Sequence, residues 1–106
     1  MCVAACLFAG GCRTSPLEHC VQARRELDAG DPSAAIARLE RSRMHDPEFA
    51  PTYLTLAAAF TRQGDFESVA ENLAEYLRRT PDHHAAHLYL AECLLSLNHL
   101  DAARAH

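Results

Sequence analysis

Tyr53-Leu54-Thr55-Leu56-Ala57-Ala58-Ala59-Phe60-Thr61-Arg62-Gln63-Gly64-Asp65-Phe66 decides how the rest of the chain is read. Tyr53, Leu56, Ala57 and Phe60 recur at the three- and four-residue spacing of a single helix face. Gly64 follows them, and glycine best tolerates the left-handed backbone common just past a helix end. Asp65 is placed to cap a second helix with its carboxylate. Beyond it, Val69, Leu73 and Tyr76 form a stripe that can face the first. The stretch therefore reads as a helix, a tight reversal and an antiparallel partner.

Outward from it, the same punctuation recurs. Gly30-Asp31-Pro32 stands 34 residues before Gly64-Asp65-Phe66, and Asn98-His99-Leu100 stands 34 residues after it. Ala23, Ala57 and Ala91 share that register, as do Ala35, Val69 and Ala103, and the prolines Pro47 and Pro81. A fixed period in this range marks stacked helix pairs, none of which can bury its apolar face alone. The spacing predicts helices over 17–29, 32–45, 51–63, 67–79 and 84–97, with a sixth starting near Leu100 and cut off at His106. Pro32 suits a first helical position, where its missing N–H costs nothing. Pro47 and Pro81 stop the second helix of each pair. Ala23, Ala57 and Ala91 mark close approach within a pair. His87, Leu90, Ala91 and Leu94 repeat the stripe in the third unit, whereas the first carries His19, Gln22 and Glu26 there, as a solvent-facing terminal repeat does.

These residues resemble the tetratricopeptide repeat. Tyr53, Leu56-Ala57, Phe60, Val69, Leu73 and Pro81 carry most of the family pattern, and the resemblance runs from Pro16 to the end. It implies an all-α solenoid of about two and a half repeats, with units 16–49, 50–83 and an incomplete 84–106. It also implies a protein or peptide partner held in the concave groove lined by the first helix of each unit. Projected onto this chain, that groove takes Leu17, Cys20, Arg24, Leu27 and Asp28 from the first unit. Leu54, Ala58, Thr61 and Arg62 come from the second, and Leu88, Glu92, Leu95 and Ser96 from the third. Some family members clamp a terminal carboxylate with Lys and Asn on this surface. Here Cys20, Arg24, Leu54, Ala58, Leu88 and Glu92 hold the matching places, and only Arg24 suits that task. A largely apolar groove suits a helix or hydrophobic peptide. It equally suits further sequence of the chain, or a second copy.

Composition narrows the function classes. The 106 residues make one small domain, and a net charge of -4 without a basic cluster argues against nucleic acid. All ten basic residues are Arg, so Schiff-base chemistry and a phosphate-loop lysine are excluded. Ser15, Ser33, Ser42, Ser68 and Ser96 lack a nucleophile-elbow context, and no Gly-rich phosphate loop appears. Glu18, Glu26, Glu40, Glu67, Glu71 and Glu75 read as solvated helix surface among arginines. A non-enzyme without a cofactor is expected. His83, His84 and His87 form the one cluster whose spacing could hold two metal-ligating imidazoles on a helix face. No third ligand is evident, and the competing reading is a solvated turn after Pro81.

The five cysteines contain no CxxC pair. Cys20 and Cys93 fall on helices two repeats apart, too far for a disulfide, and read as small buried or groove-lining thiols. Cys2, Cys6 and Cys12 crowd the start. Residues 1–15 run from an uncharged apolar stretch through Ala9-Gly10-Gly11-Cys12 into Arg13-Thr14-Ser15. This resembles the end of a bacterial lipoprotein signal peptide, which implies diacylglycerol on the Cys12 thiol and a periplasm-facing envelope location. Ala9 stands where that pattern usually has Leu, and no positive n-region precedes the run. A start upstream would repair this. The alternative is a cytoplasmic adaptor whose first residues form an apolar helix against the first repeat. At the other end, residues 84–97 are apolar nearly all round, so a helix there needs cover on more than one side. A truncated product, or self-association through this C-terminal edge, is the expectation.

Overall fold

The computed structural model describes residues 15–105, with side chains as far as Asp101. Five helices make up the described residues: α1 (Pro16–Asp28), α2 (Pro32–His45), α3 (Ala50–Gln63), α4 (Phe66–Arg79) and α5 (His84–Ala105). Each packs against the next, and α1 also packs against α3. This is an all-α solenoid of antiparallel pairs. None of these helices is long and apolar enough to cross a membrane. The N-terminal segment carrying Cys2, Cys6 and Cys12 lies outside the described residues.

The two reversals within the pairs have the same construction. Gly30 and Gly64 adopt φ of 84° and 74°. The amide of Asp31 reaches back to the Glu26 carbonyl at 2.8 Å, and that of Asp65 to Phe60 at 3.1 Å. With Gly30 and Gly64 bonding to Leu27 and Thr61, these are paired helix-terminating bonds that need a left-handed residue. Each aspartate then caps the next helix, Asp31 accepting from Ala34 and Asp65 from Ser68. Ser15, which the sequence did not mark as a cap, caps α1 by accepting from the Glu18 amide.

The core forms at the seams between pairs. Cys20, Ala23 and Leu27 of α1 meet Ala35 and Leu39 of α2 and Leu56 and Ala59 of α3. One repeat along, Ala57 meets Val69 and Leu73 of α4 and Cys93 of α5. Ala23, Leu27, Ala35, Leu39, Leu56, Ala57, Val69 and Leu73 have no exposed area. In the worn first unit, Glu26 stands in the register place of Phe60, and the seam there is closed by charge. Arg38 of α2 donates to both Glu26 oxygens, at 2.9 and 3.2 Å. Those bonds raise the Arg38 pKa above its ordinary value.

The expected turn at Asn98 is not there. No non-glycine residue among those described has a positive φ, and α5 continues through Asn98 as one 22-residue helix. The cause is physical. Asparagine pays a few tenths of a kcal/mol less than glycine to sit inside a helix, and the short segment after it gains little as a separate helix. The fifth and sixth expected helices are therefore one. Ala86 and Cys93 are buried, Tyr89 and Leu90 half-buried, and Ala91 is exposed. Leu88, Leu94, Leu95 and Leu100 are 67%, 51%, 58% and 43% exposed.

Candidate partner-binding groove

α1, α3 and α5 are the first helices of their units, and the projected groove residues divide among three environments. Leu17, Arg24, Arg62, Leu88, Glu92 and Leu95 are exposed, as is Asp28. Leu54, Ala58, Thr61 and Ser96 are half-buried. Leu27 is not in the groove. It is fully buried, because α3 lies over α1 and seals the position that Leu95, its register equivalent, leaves open on α5. Cys20 is also buried, with its thiol 3.9 Å from the Thr52 hydroxyl.

Arg62 has a structural task that the pattern did not show. It donates to the Leu27 carbonyl at 3.0 Å, so a guanidinium on α3 adds a second donor to a carbonyl at the end of α1 that already accepts from the Gly30 amide. Gln63 beside it donates to the Ser33 hydroxyl. These two bonds tie the end of α3 to the first unit.

Between α1 and α3 lies an open cavity of about 330 Å³ lined by Cys20, Val21, Arg24, Arg25 and Thr55. Its lining pairs apolar surface with two exposed guanidinium groups, neither of which meets a carboxylate among the described residues. Val21 and Thr55 were missed in the sequence, although a signal was present. They share the 34-residue register with Tyr89. The Tyr89 hydroxyl is hydrogen-bonded to Thr61. A ring where the preceding unit has a threonine holds α5 away from α3, and no Cα of one comes within 8 Å of the other among the described residues. The groove thus narrows at α1 and opens at α5. Its charge runs from Arg24 and Arg25 at one end to Glu92 at the other.

A larger cavity, about 660 Å³, lies between α2 and α4. Most of its charged residues are already engaged, Glu40 with Arg43 and Glu75 with Arg78 and Arg79, while Glu71 stands exposed at its edge. The Arg79 and Arg78 hydrogen bonds hold the Glu75 carboxyl below its ordinary pKa. Partnered, polar side chains make this a solvated flank, whereas the α1–α3 cavity presents unpaired cations beside apolar surface.

The histidine turn is structural in its geometry. His83 Nδ1 meets the Tyr76 hydroxyl at 2.6 Å, with the rings edge-on. His87 Nε2 donates to the Pro81 carbonyl at 2.8 Å. Tyr53, its equivalent one repeat earlier, donates its hydroxyl to the Pro47 carbonyl at 2.6 Å. The aromatic place of both repeats therefore ties the chain after the proline to the next helix. No group of three metal-ligating side chains occurs among the described residues. Cys20 and Cys93 are free and buried, and burial pushes the Cys93 thiol above its ordinary pKa.

The repeat model of one family, described as tetratricopeptide repeat, matches residues 26–70 and again 60–106. The chain belongs to the tetratricopeptide repeat family. Its two matches overlap and start 34 residues apart, one period of the chain, and together they cover all but the first part of the sequence. Comparison with curated proteins and with solved structures returned no match. Tetratricopeptide repeats mark a protein–protein interaction scaffold, and proteins of this family are typically non-enzymatic.

Proposed function

We propose that the chain binds a partner protein or peptide along the face of α1, α3 and α5. The observation that carries this reading is the α1–α3 cavity, with its Cys20, Val21 and Thr55 lining and the unpaired Arg24 and Arg25. Leu54 and Ala58 continue the surface towards Leu88 and Glu92. An extended or helical segment suits it, with an apolar anchor seated between α1 and α3 and an acidic residue beside the two arginines. Selection from a displayed peptide library tests this. Apolar-anchored sequences should be enriched on the wild-type chain and lost on Ala58→Arg. Equal enrichment on both would sink the reading.

The same proposal places the scaffold on a bacterial envelope through lipidated Cys12, facing the periplasm, where a tethered binding module serves as an assembly factor. Its support is the small-residue run before Cys12. The rival is a cytoplasmic adaptor. Membrane fractionation of wild type against Cys12→Ala decides: a tether predicts release of the variant, and identical fractionation excludes it. Self-association through the C-terminal edge is a second reading, favoured by the exposure of Leu94 and Leu100 on α5. Metal binding at His83, His84 and His87 has less support, since His83 and His87 each commit a ring nitrogen.

A further inference from the structure

The 34-residue period lays two rows of residues across the groove, from α1 to α3 to α5. Cys20, Leu54 and Leu88 make one, and Arg24, Ala58 and Glu92, a turn further along each helix, make the other. The register holds in space because α5 sits on the second unit as α3 sits on the first. Thr52 and Ala59 of α3 have no exposed area, and their equivalents on α5, Ala86 and Cys93, are 2% and 3% exposed. Ala58 and Glu92 immediately precede Ala59 and Cys93, so both look out on the same side. The first row is apolar, and the second carries opposite charges at its two ends. Those charges are unpaired: Arg24, Arg25 and Glu92 are exposed, and none meets an opposite charge among the described residues. The acids of α1 leave its groove side cationic. Glu26 pairs with Arg38, and Glu18 borders a separate cavity with Gln22 and Arg38. Asp28 stands one turn past Arg24, in register with Arg62, whose guanidinium bonds to the adjacent Leu27 carbonyl.

We propose that the segment held in this groove is extended and bipolar, with an acidic residue over Arg24 and Arg25, a basic residue over Glu92, and apolar side chains between them along Cys20, Leu54 and Leu88. The inference rests on the peptide-binding reading and names the chemistry of its ligand. An extended chain fits where a helix does not. α1 and α3 are packed together, and the slot between them holds about 330 Å³. A helix with its side chains is about 10–12 Å across and can only lie above such a slot, whereas one side chain of an extended segment enters it. Packed helices stand roughly 8–10 Å apart, so the charged row spans about 20 Å, which an extended chain covers in about six residues. An even spacing puts the acid and the base on one side of the segment, since alternate side chains of an extended chain point the same way. Ala58, at the middle of the row, offers only a methyl group and leaves the path between the charges open. Opposite charges at the two ends also set direction, because a reversed segment brings like charges together.

Selection from a displayed library of random peptides, repeated on charge variants of the full chain, tests it. Sequences enriched on the wild type should carry an acid and a base about six residues apart, with apolar residues between them. Arg24→Gln/Arg25→Gln should lose the acid and keep the base, and Glu92→Arg should exchange the base for an acid. A synthetic peptide of the wild-type selection should bind Glu92→Arg several-fold more weakly, the size expected of an exposed pair. Replacing its base by an acid should restore binding to that variant. The three positions are exposed, so the helical circular dichroism of the variants should match the wild type. Apolar-anchored sequences with no charge order overturn the inference and leave the groove reading standing. So does an acid and a base about thirteen residues apart, the spacing of a helix over the same span. Equal enrichment on wild type and Ala58→Arg sinks both.

Discussion

A methyl group at Gly64 would meet nothing within 4 Å, so Gly64→Ala changes only the backbone. With φ at 74°, the expected loss is about 1 kcal/mol. Denaturant unfolding of Gly64→Ala against Gly64→Asn checks it, since asparagine tolerates the left-handed region better and should recover part of the loss. The Cys93 thiol, buried and donating to the Phe66 carbonyl at 3.0 Å, should resist alkylation at neutral pH until the protein is unfolded. Rapid labelling in native buffer would contradict that placement. Glu75 gives an acid-side prediction. Its folded pKa is lowered from the ordinary carboxylate value by the Arg79 and Arg78 bonds. Its contribution is therefore complete above that ordinary value and is lost as pH falls through the depressed one. Glu75→Gln should leave a slightly shallower acid decline in stability, and a small one, because the side chain is 43% exposed.

At the scale of elements, each seam is closed by one covering helix, and its energetics are those of a close-packed core. Leu73→Ala on α4 should cost about 3 kcal/mol, because the leucine is fully buried between α3 and α5 and leaves a cavity. Tyr53→Phe should cost about 1 kcal/mol through the lost bond to Pro47. His87→Phe should cost less, since its bond to Pro81 is at an exposed site where water can take over. Thermal unfolding of the pair reads the difference directly. The elements were legible in the sequence wherever punctuation was obligatory. Gly30 and Gly64 sit where only a left-handed residue closes the helix, and Pro47 and Pro81 cannot continue one. Asn98 carries no such obligation. It tolerates both the reversal and the helix, and the choice depends on what the following residues can pack against, which the period alone does not show.

Across the whole molecule, the helices that carry the candidate groove residues were legible, but the depth at which each residue sits was not. The 34-residue register placed Arg24, Leu54, Ala58 and Leu88 on the first helices, where they are found at the surface or half-buried. It also placed Leu27 there, and α3 buries it. Register is a property of one helix, whereas exposure depends on the neighbour stacked upon it, so equivalent residues in successive units are not equivalently accessible. The Val21–Thr55–Tyr89 line shows the same thing from the other side: a valine and a threonine border a cavity, and a tyrosine props the next helix open. The central claim is that a partner occupies the α1–α3–α5 face. Amide chemical-shift mapping of the isotope-labelled chain with its best library-selected peptide tests it most directly. The account predicts perturbations concentrated at Val21, Arg24, Thr55 and Ala58, weakening towards Glu92. Perturbations centred instead on Glu40, Arg43, Asn72 and Arg78, between α2 and α4, would contradict it.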